Sequence, residues 1–76
     1  MQVKLLAFAQ AREQLGFSER EIICEPTETP RALLARVAPT FVAHACRVAV
    51  DGEYRDWNEA VGAASEIALI PPVSGG

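Results

Sequence analysis

A single clear helix start, at Thr29-Pro30, constrains this chain more than any other feature of its sequence. A threonine hydroxyl can accept a hydrogen bond from a free N–H group at the start of a helix, and proline fits the first helical position. The pattern predicts a helix that ends near Ala38, before Pro39, with an apolar side formed by Leu33, Leu34 and Val37. Because the segments on both sides of it resemble strands, this one helix must cover a sheet.

The segments before the helix predict two strands. Val3 to Gln10 alternates in hydrophobicity, and its better core face consists of Val3, Leu5, Ala7 and Ala9. Ala11 to Leu15 has helix-forming composition but stops at Gly16, so we expect a single helical turn there. Arg20 to Cys24 is the second strand, and Pro26 ends it.

The segments after the helix predict three more strands. Arg47 to Val50 is followed by Asp51-Gly52, a strong hairpin signal that leads into a short strand at Glu53 to Arg55. Glu66 to Ile70 is the last strand, and Pro71-Pro72 ends it because neither residue can donate to a sheet.

Two segments have no clear period. Thr40 to Cys46 fits either a helical turn or a loop, and could cover the end of the core with Phe41, Val42 and Ala45. Trp57 to Ser65 resembles a loop from which Trp57 and Val61 pack inward.

This order of elements predicts an α+β protein with the β-grasp (ubiquitin-like) architecture: a mixed sheet of about five strands with one main helix on one face. We expect a single domain over residues 1–76, with residues 71–76 as an extended tail. The side chains expected to face the helix are Val3, Leu5, Ala7, Val48, Val50, Ile67 and Leu69.

Composition and charge exclude several classes of function. The chain has 76 residues and a net charge of −3, and its cations, six arginines and Lys4, form no cluster, so nucleic acid is not an expected partner. No run approaches the ~20 apolar residues of a membrane-spanning helix, and no signal peptide is evident, so we expect a cytoplasmic protein. Cys24 and Cys46 lack metal-site spacing and are interpreted as small buried hydrophobes, and His44 as a surface or packing residue.

A sheet with one helix leaves its other face open. On the predicted register Phe8 and Ile70 point outward from neighbouring strands, with Tyr54 near them. An aromatic and an aliphatic residue together suggest a partner surface. Single exposed apolar residues are also common without any function, and the pattern alone does not decide between the two readings.

The end of the sequence carries more information. Six residues, Pro71 to Gly76, can extend about 20 Å from the body, and the two prolines keep the start of this tail stiff. Gly75 and Gly76 lack side chains, so the terminal backbone can enter a narrow channel. A Gly-Gly end alone is more often a frayed terminus, but with the rigid exit and the predicted fold it favours a carrier tail whose carboxylate requires activation.

These residues resemble a known family, the small, sulfur-carrying subunit of molybdopterin synthase, which is ubiquitin-like. The most specific parts of the resemblance are Phe8-Ala9-Gln10-Ala11-Arg12-Glu13 and Ile70-Pro71-Pro72-Val73-Ser74-Gly75-Gly76. The Pro-Pro-Val-Ser-Gly-Gly end is a strong signal, whereas Gly-Gly alone is shared by several carriers.

The resemblance implies a chemistry centred on Gly76. An E1-like adenylyltransferase would adenylate the Gly76 carboxylate with ATP and Mg, and a sulfur donor would convert it to a thiocarboxylate. The tail would then deliver sulfur to cyclic pyranopterin monophosphate inside the large subunit, in an assembly of two small and two large subunits. The chain itself would bind no cofactor and would not be catalytic alone. The partner contacts implied are Phe8, Arg12, Tyr54, Ile70, Pro71, Pro72, Val73, Ser74 and Gly75.

Three other functions stay open at this point. The first is a sulfur carrier for thiamine thiazole or cysteine synthesis, the second is a ubiquitin-like modifier joined to lysines through Gly76, and the third is an interaction module with an inert tail.

Overall fold

The computed structural model describes residues 1–41 and 46–72. The predictions made for Val42, His44 and Ala45, and for residues 73–76, lie outside the described residues. The elements are β1 (Gln2–Ala7), α1 (Ala9–Leu15), β2 (Glu19–Ile23), α2 (Pro30–Val37), β3 (Arg47–Val50), β4 (Glu53–Arg55) and β5 (Glu66–Ile70).

The main helix, α2, forms as its sequence predicts. The Thr29 hydroxyl accepts a hydrogen bond from the Ala32 backbone N–H at 3.1 Å, and Pro30 occupies the first helical turn. Leu33 and Leu34 are buried and Val37 packs half-buried against the core, so the predicted apolar side of the helix is confirmed. The helix ends at Val37, one residue before the expected position.

The sheet has the strand order β2-β1-β5-β3-β4. β1 pairs parallel with β5, and the other three pairings are antiparallel. The last strand therefore returns beside the first, and the predicted β-grasp architecture with a mixed five-stranded sheet is confirmed.

The predicted hairpin between β3 and β4 is also confirmed. Asp51 and Gly52 both have positive φ, 50° and 84°, as a two-residue turn of type I′ requires. Asp51 Oδ1 accepts hydrogen bonds from the backbone N–H groups of Ser65 and Glu66 at 2.9 and 3.0 Å. One carboxylate thus ties the hairpin to the start of β5 and fixes the register of three strands.

The core lies between α2 and the face of the sheet that α2 covers. All seven side chains expected to face the helix are at most 2% exposed. Val61 is buried, and the Trp57 indole Nε1–H donates to the Cys46 carbonyl at 3.2 Å while its ring packs against the core, so both inward positions in this loop are confirmed. Phe41 packs against the core as well.

The segment around Ala9 differs from the prediction. β1 ends at Ala7, and Ala9, expected on the core face, is exposed and has a φ of 47°. The chain leaves the sheet there and forms a seven-residue helix, α1, where a single turn was expected. The helix buries Ala11 and ends at Gly16, whose left-handed backbone lets its N–H donate to the Arg12 carbonyl at 2.8 Å. Alanine is the strongest helix former and is depleted in strands, so the alternation of apolar residues beyond Ala7 was misleading.

Candidate docking face and carrier tail

The sheet face opposite α2, called the open face here, has an apolar row that crosses four strands. The row is set by register, because Leu6 pairs with Ala68, Ala68 with Ala49, and Ala49 with Tyr54. Both alanines are nearly buried, at 8% and 6% exposure, while Leu6 is half-buried and Tyr54 is 63% exposed. Small side chains in the middle and larger ones at the sides give a shallow apolar surface.

Two more apolar side chains continue this surface at one end of the sheet. Ala7 pairs with Leu69 on parallel strands, so Phe8 and Ile70 follow at the same end. Phe8 is 50% exposed and Ile70 is half-buried. Only the placement of Phe8 within a strand differs from the prediction, because β1 ends at Ala7 and Phe8 is the N-cap residue of α1, with an extended backbone (φ −119°, ψ 150°). Ile70 and Tyr54 therefore share the open face, and Phe8 lies exposed at the end of that face.

The tail begins at the same end. Pro71 is half-buried and Pro72 is exposed, directly after β5. Arg12 is exposed on α1, the helix that starts beside this exit. Val73, Ser74, Gly75 and Gly76 lie outside the described residues, and their roles stay predictions.

Arg47 is a residue of this surface that sequence reasoning missed. It pairs with Ile70 across β3 and β5, and its guanidinium carbon lies 5.0 Å from the centre of the Tyr54 ring. This distance is that of a cation–π contact. Arg47 also lines an open cleft of about 450 Å³ together with Tyr54, Asp56 and Trp57. The signal available in the sequence was its place in a strand whose alternate positions, Val48 and Val50, are apolar.

The opposite corner of the open face is acidic, which sequence reasoning also missed. Lys4 pairs in register with Glu21 on one side and Glu66 on the other, and its Nζ lies 3.9 Å from a carboxylate oxygen of Glu19. Three glutamates thus lie next to Lys4 in the sheet; Glu19 forms the ion pair, and Glu21 Oε2 accepts a hydrogen bond from the Gln2 side-chain amide at 3.0 Å. This group of residues, Glu19, Glu21, Glu66 and Lys4, is called the acidic corner below.

The cysteines do not form a reactive site. Burial raises the pKa of the Cys24 thiol, with a further contribution from the Glu28 carboxylate, and burial raises the pKa of the Cys46 thiol. Both are free and mostly protonated at neutral pH, when they are weak nucleophiles. Cys24 is buried as predicted, whereas Cys46 is only half-buried. Within residues 1–41 and 46–72, no group of three metal-ligating side chains comes together.

Comparison with known proteins decides the family. The model of the ThiS family matches residues 5–76. The chain belongs to the ThiS family. A curated relative of this ThiS-family chain, the molybdopterin synthase sulfur carrier subunit of Chlamydomonas reinhardtii, is 36% identical over 84 residues, and the match covers all of both chains.

Solved structures agree with the fold of this ThiS-family protein. SAMP1, small archaeal modifier protein 1 of Haloferax volcanii, superposes with a TM-score of 0.75 at 25% identity over the full length of both chains. A complex of subunits 1 and 2 of molybdopterin-converting factor from Helicobacter pylori gives a TM-score of 0.65 at 22% identity, again over all of both chains. In the part of the chain that the structure describes, no helix is long and apolar enough to cross a membrane.

Proposed function

We propose that this chain is the sulfur carrier subunit of a molybdopterin synthase. The observation that carries the proposal is the 36% identity to a protein of that name along the entire chain. Two features support it: an apolar open face, and a tail that starts at the end of that face where Phe8 and Ile70 lie.

The reactive group is the Gly76 carboxylate. A carboxylate is a poor electrophile, so an E1-like enzyme first joins it to AMP, using ATP and Mg and releasing pyrophosphate. A hydrosulfide equivalent from a sulfur donor then attacks the acyl carbon, and AMP leaves. The product is a C-terminal thiocarboxylate, whose sulfur is a better nucleophile than a carboxylate oxygen. The chain contributes no catalytic side chain to these steps.

The partner that receives the sulfur is the large subunit. The Helicobacter pylori complex of subunits 1 and 2 supports a pairing of this kind. Phe8, Tyr54 and Ile70 contact the large subunit, and Arg12 lies at the rim of that contact. The tail enters the partner's active site, where sulfur passes to cyclic pyranopterin monophosphate and water is excluded from the thiocarboxylate. Two small and two large subunits form the cytoplasmic enzyme.

Within the tail, each residue has a role in presenting Gly76. Pro71 and Pro72 fix the direction in which the chain leaves the sheet, because their φ angles are locked. Val73, Ser74 and Gly75 occupy the channel of the partner, and Gly75, which has no side chain, lets the backbone pass its narrowest part.

Intact mass spectrometry tests the proposal. The protein is incubated with its activating enzyme, ATP, Mg and a sulfur source, and the expected product is heavier by the difference between one sulfur and one oxygen, located at Gly76. A variant without Gly75 and Gly76 is the control and should stay unchanged in mass. If the mass of the full-length protein also stays unchanged, while the same activating enzyme modifies a different carrier protein in a parallel reaction, the proposal is wrong.

A second candidate is a ubiquitin-like modifier, favoured by the likeness to small archaeal modifier protein 1 over the full chain. Its signature is an isopeptide bond between Gly76 and lysines of other proteins. Peptide mapping after expression in the native cell distinguishes the two functions, since a dedicated sulfur carrier leaves no such branched peptides. A carrier for thiamine thiazole or cysteine synthesis would bind a different partner protein, so identification of the bound partner distinguishes it from a molybdopterin carrier.

A further inference from the structure

The open face carries opposite charges at two of its corners. The acidic corner spans β2, β1 and the start of β5, and contains three carboxylates and one ammonium group. Arg47 lies on β3, in register with Ile70 at the end of β5 where the tail begins. Between them runs the neutral row of Leu6, Ala68, Ala49 and Tyr54.

The two corners are far enough apart to act separately. Glu21 and Arg47 are three strand spacings apart across the sheet, about 14 Å, and four residues apart along it, about 13 Å. The diagonal of roughly 20 Å exceeds the Debye length of about 8 Å at physiological ionic strength. Each corner therefore interacts electrostatically only with the charged groups of a bound partner that lie close to it.

Arg47 is available to a partner. Among residues 1–41 and 46–72, no carboxylate lies within 4.0 Å of its guanidinium group. Asp56 lines the same cleft, but its Oδ1 accepts a hydrogen bond from the Asn58 backbone N–H at 2.8 Å. The Tyr54 ring stacks on the guanidinium and holds it, which leaves its N–H groups free to bind a carboxylate.

We propose that the open face is a dipolar docking surface, whose partner places an acidic side chain against Arg47 and basic side chains against the acidic corner. The inference rests on the proposed function, and the partner is the large subunit named there. An apolar row alone allows a flat apolar partner to dock in more than one orientation, whereas opposite charges at two corners favour a single orientation. In that orientation the end with Phe8 and Ile70 points the tail toward the partner's site.

Charge reversal with matched controls tests this inference. Affinity for the large subunit encoded in the same genome is measured by calorimetry at low and at physiological salt. Arg47→Glu is compared with Arg31→Glu, which changes the net charge equally. Arg31 is exposed on α2, on the other side of the sheet. Glu21→Lys is compared with Glu53→Lys, which is exposed on β4 in register with Val50 of the core face.

Arg47→Glu should weaken binding by at least about tenfold and Glu21→Lys by a smaller factor, with both controls within about twofold of the wild type. Arg47→Lys should retain more affinity than Arg47→Ala. Both Arg47→Glu and Glu21→Lys should reduce the dependence of the affinity on salt concentration. If Arg47→Glu and Arg31→Glu bind alike, this inference is wrong and the proposed function stands. If the wild-type chain does not bind the large subunit at all, the proposed function falls and the inference falls with it.

Discussion

The two faces of this sheet are built from the same strands but differ in what covers them. On the face under α2, side chains such as Leu5, Ile67 and Leu69 are completely buried. On the open face, the next residues along the same strands, Leu6 and Ile70, are only half-buried, and Tyr54 is 63% exposed. The covered face stabilises the fold, whereas the open face retains apolar area that a partner can bury.

This contrast shows where function can lie in a chain of 76 residues. A domain of this size has one small core and needs nearly all of it for stability. The open face and the tail are the parts that can change without unfolding the protein. Substitutions on the two faces should therefore separate stability from partner binding.

The largest effect should come from the covered face. Leu5→Ala removes a completely buried side chain from the middle of the core and should lower the free energy of unfolding by about 2–5 kcal/mol. Leu6→Ala is the matched control, one residue further along β1 on the open face, and should cost less than about 1 kcal/mol. Urea denaturation measures both, and equal losses would contradict the assignment of faces.

An effect on binding alone should follow from the open face. Phe8→Ala should weaken binding of the large subunit by roughly 1–3 kcal/mol, because it removes an exposed aromatic ring from the end of the proposed contact where the tail begins. Titration calorimetry measures the affinity, and thermal unfolding of the free variant serves as the control. A large loss of stability with unchanged affinity would show that Phe8 belongs to the fold and not to the interface.

The smallest effect concerns an ion pair beside the helix. Arg36 donates two hydrogen bonds to the Glu28 carboxylate, at 2.9 and 3.0 Å, and these bonds hold the pKa of Glu28 below its usual range. A carboxylate whose pKa is lower in the folded than in the unfolded state stabilises the fold. This stabilisation is fully present above the pKa of the unfolded state and is lost as the pH falls through the pKa of the folded state. Glu28→Gln should therefore lower the urea midpoint slightly at neutral pH, and the difference from the wild type should disappear in acid as the Glu28 carboxylate becomes protonated.

The exposed neighbour Glu25 provides the control for that experiment, since the structure gives its carboxylate no ion pair among the described residues. Glu25→Gln removes an equal charge without breaking an ion pair and should lower the urea midpoint at neutral pH less than Glu28→Gln does. A difference between wild type and Glu28→Gln that is as large in acid as at neutral pH would contradict the role of the ionised carboxylate.

Local chemistry made most of the fold predictable from sequence. Thr29-Pro30 and Asp51-Gly52 each determine a backbone geometry within two residues, so the start of α2 and the β3–β4 turn were predicted correctly. Ala9 was placed wrongly because the hydrophobic alternation of β1 was extended past Ala7, although alanine favours a helix over a strand.

The open face was harder to predict for a different reason. Phe8, Tyr54 and Ile70 were noticed because they are large and apolar, which a sequence shows directly. Arg47 was missed because its meaning depends on its stacking on Tyr54 and on its register with Ile70, and both come from strand pairing across the sheet. The roles of these residues in binding stay predictions.

Alanine methyl signals in a nuclear magnetic resonance titration compare the two sides of the molecule most directly. Ala49 and Ala68 lie on the open face, and Ala32 and Ala35 are exposed on α2, so the chain contains its own controls. On addition of the large subunit, we expect the signals of Ala49 and Ala68 to shift or broaden while those of Ala32 and Ala35 stay in place. Changes confined to Ala32 and Ala35 would contradict the claim that the open face is the docking surface.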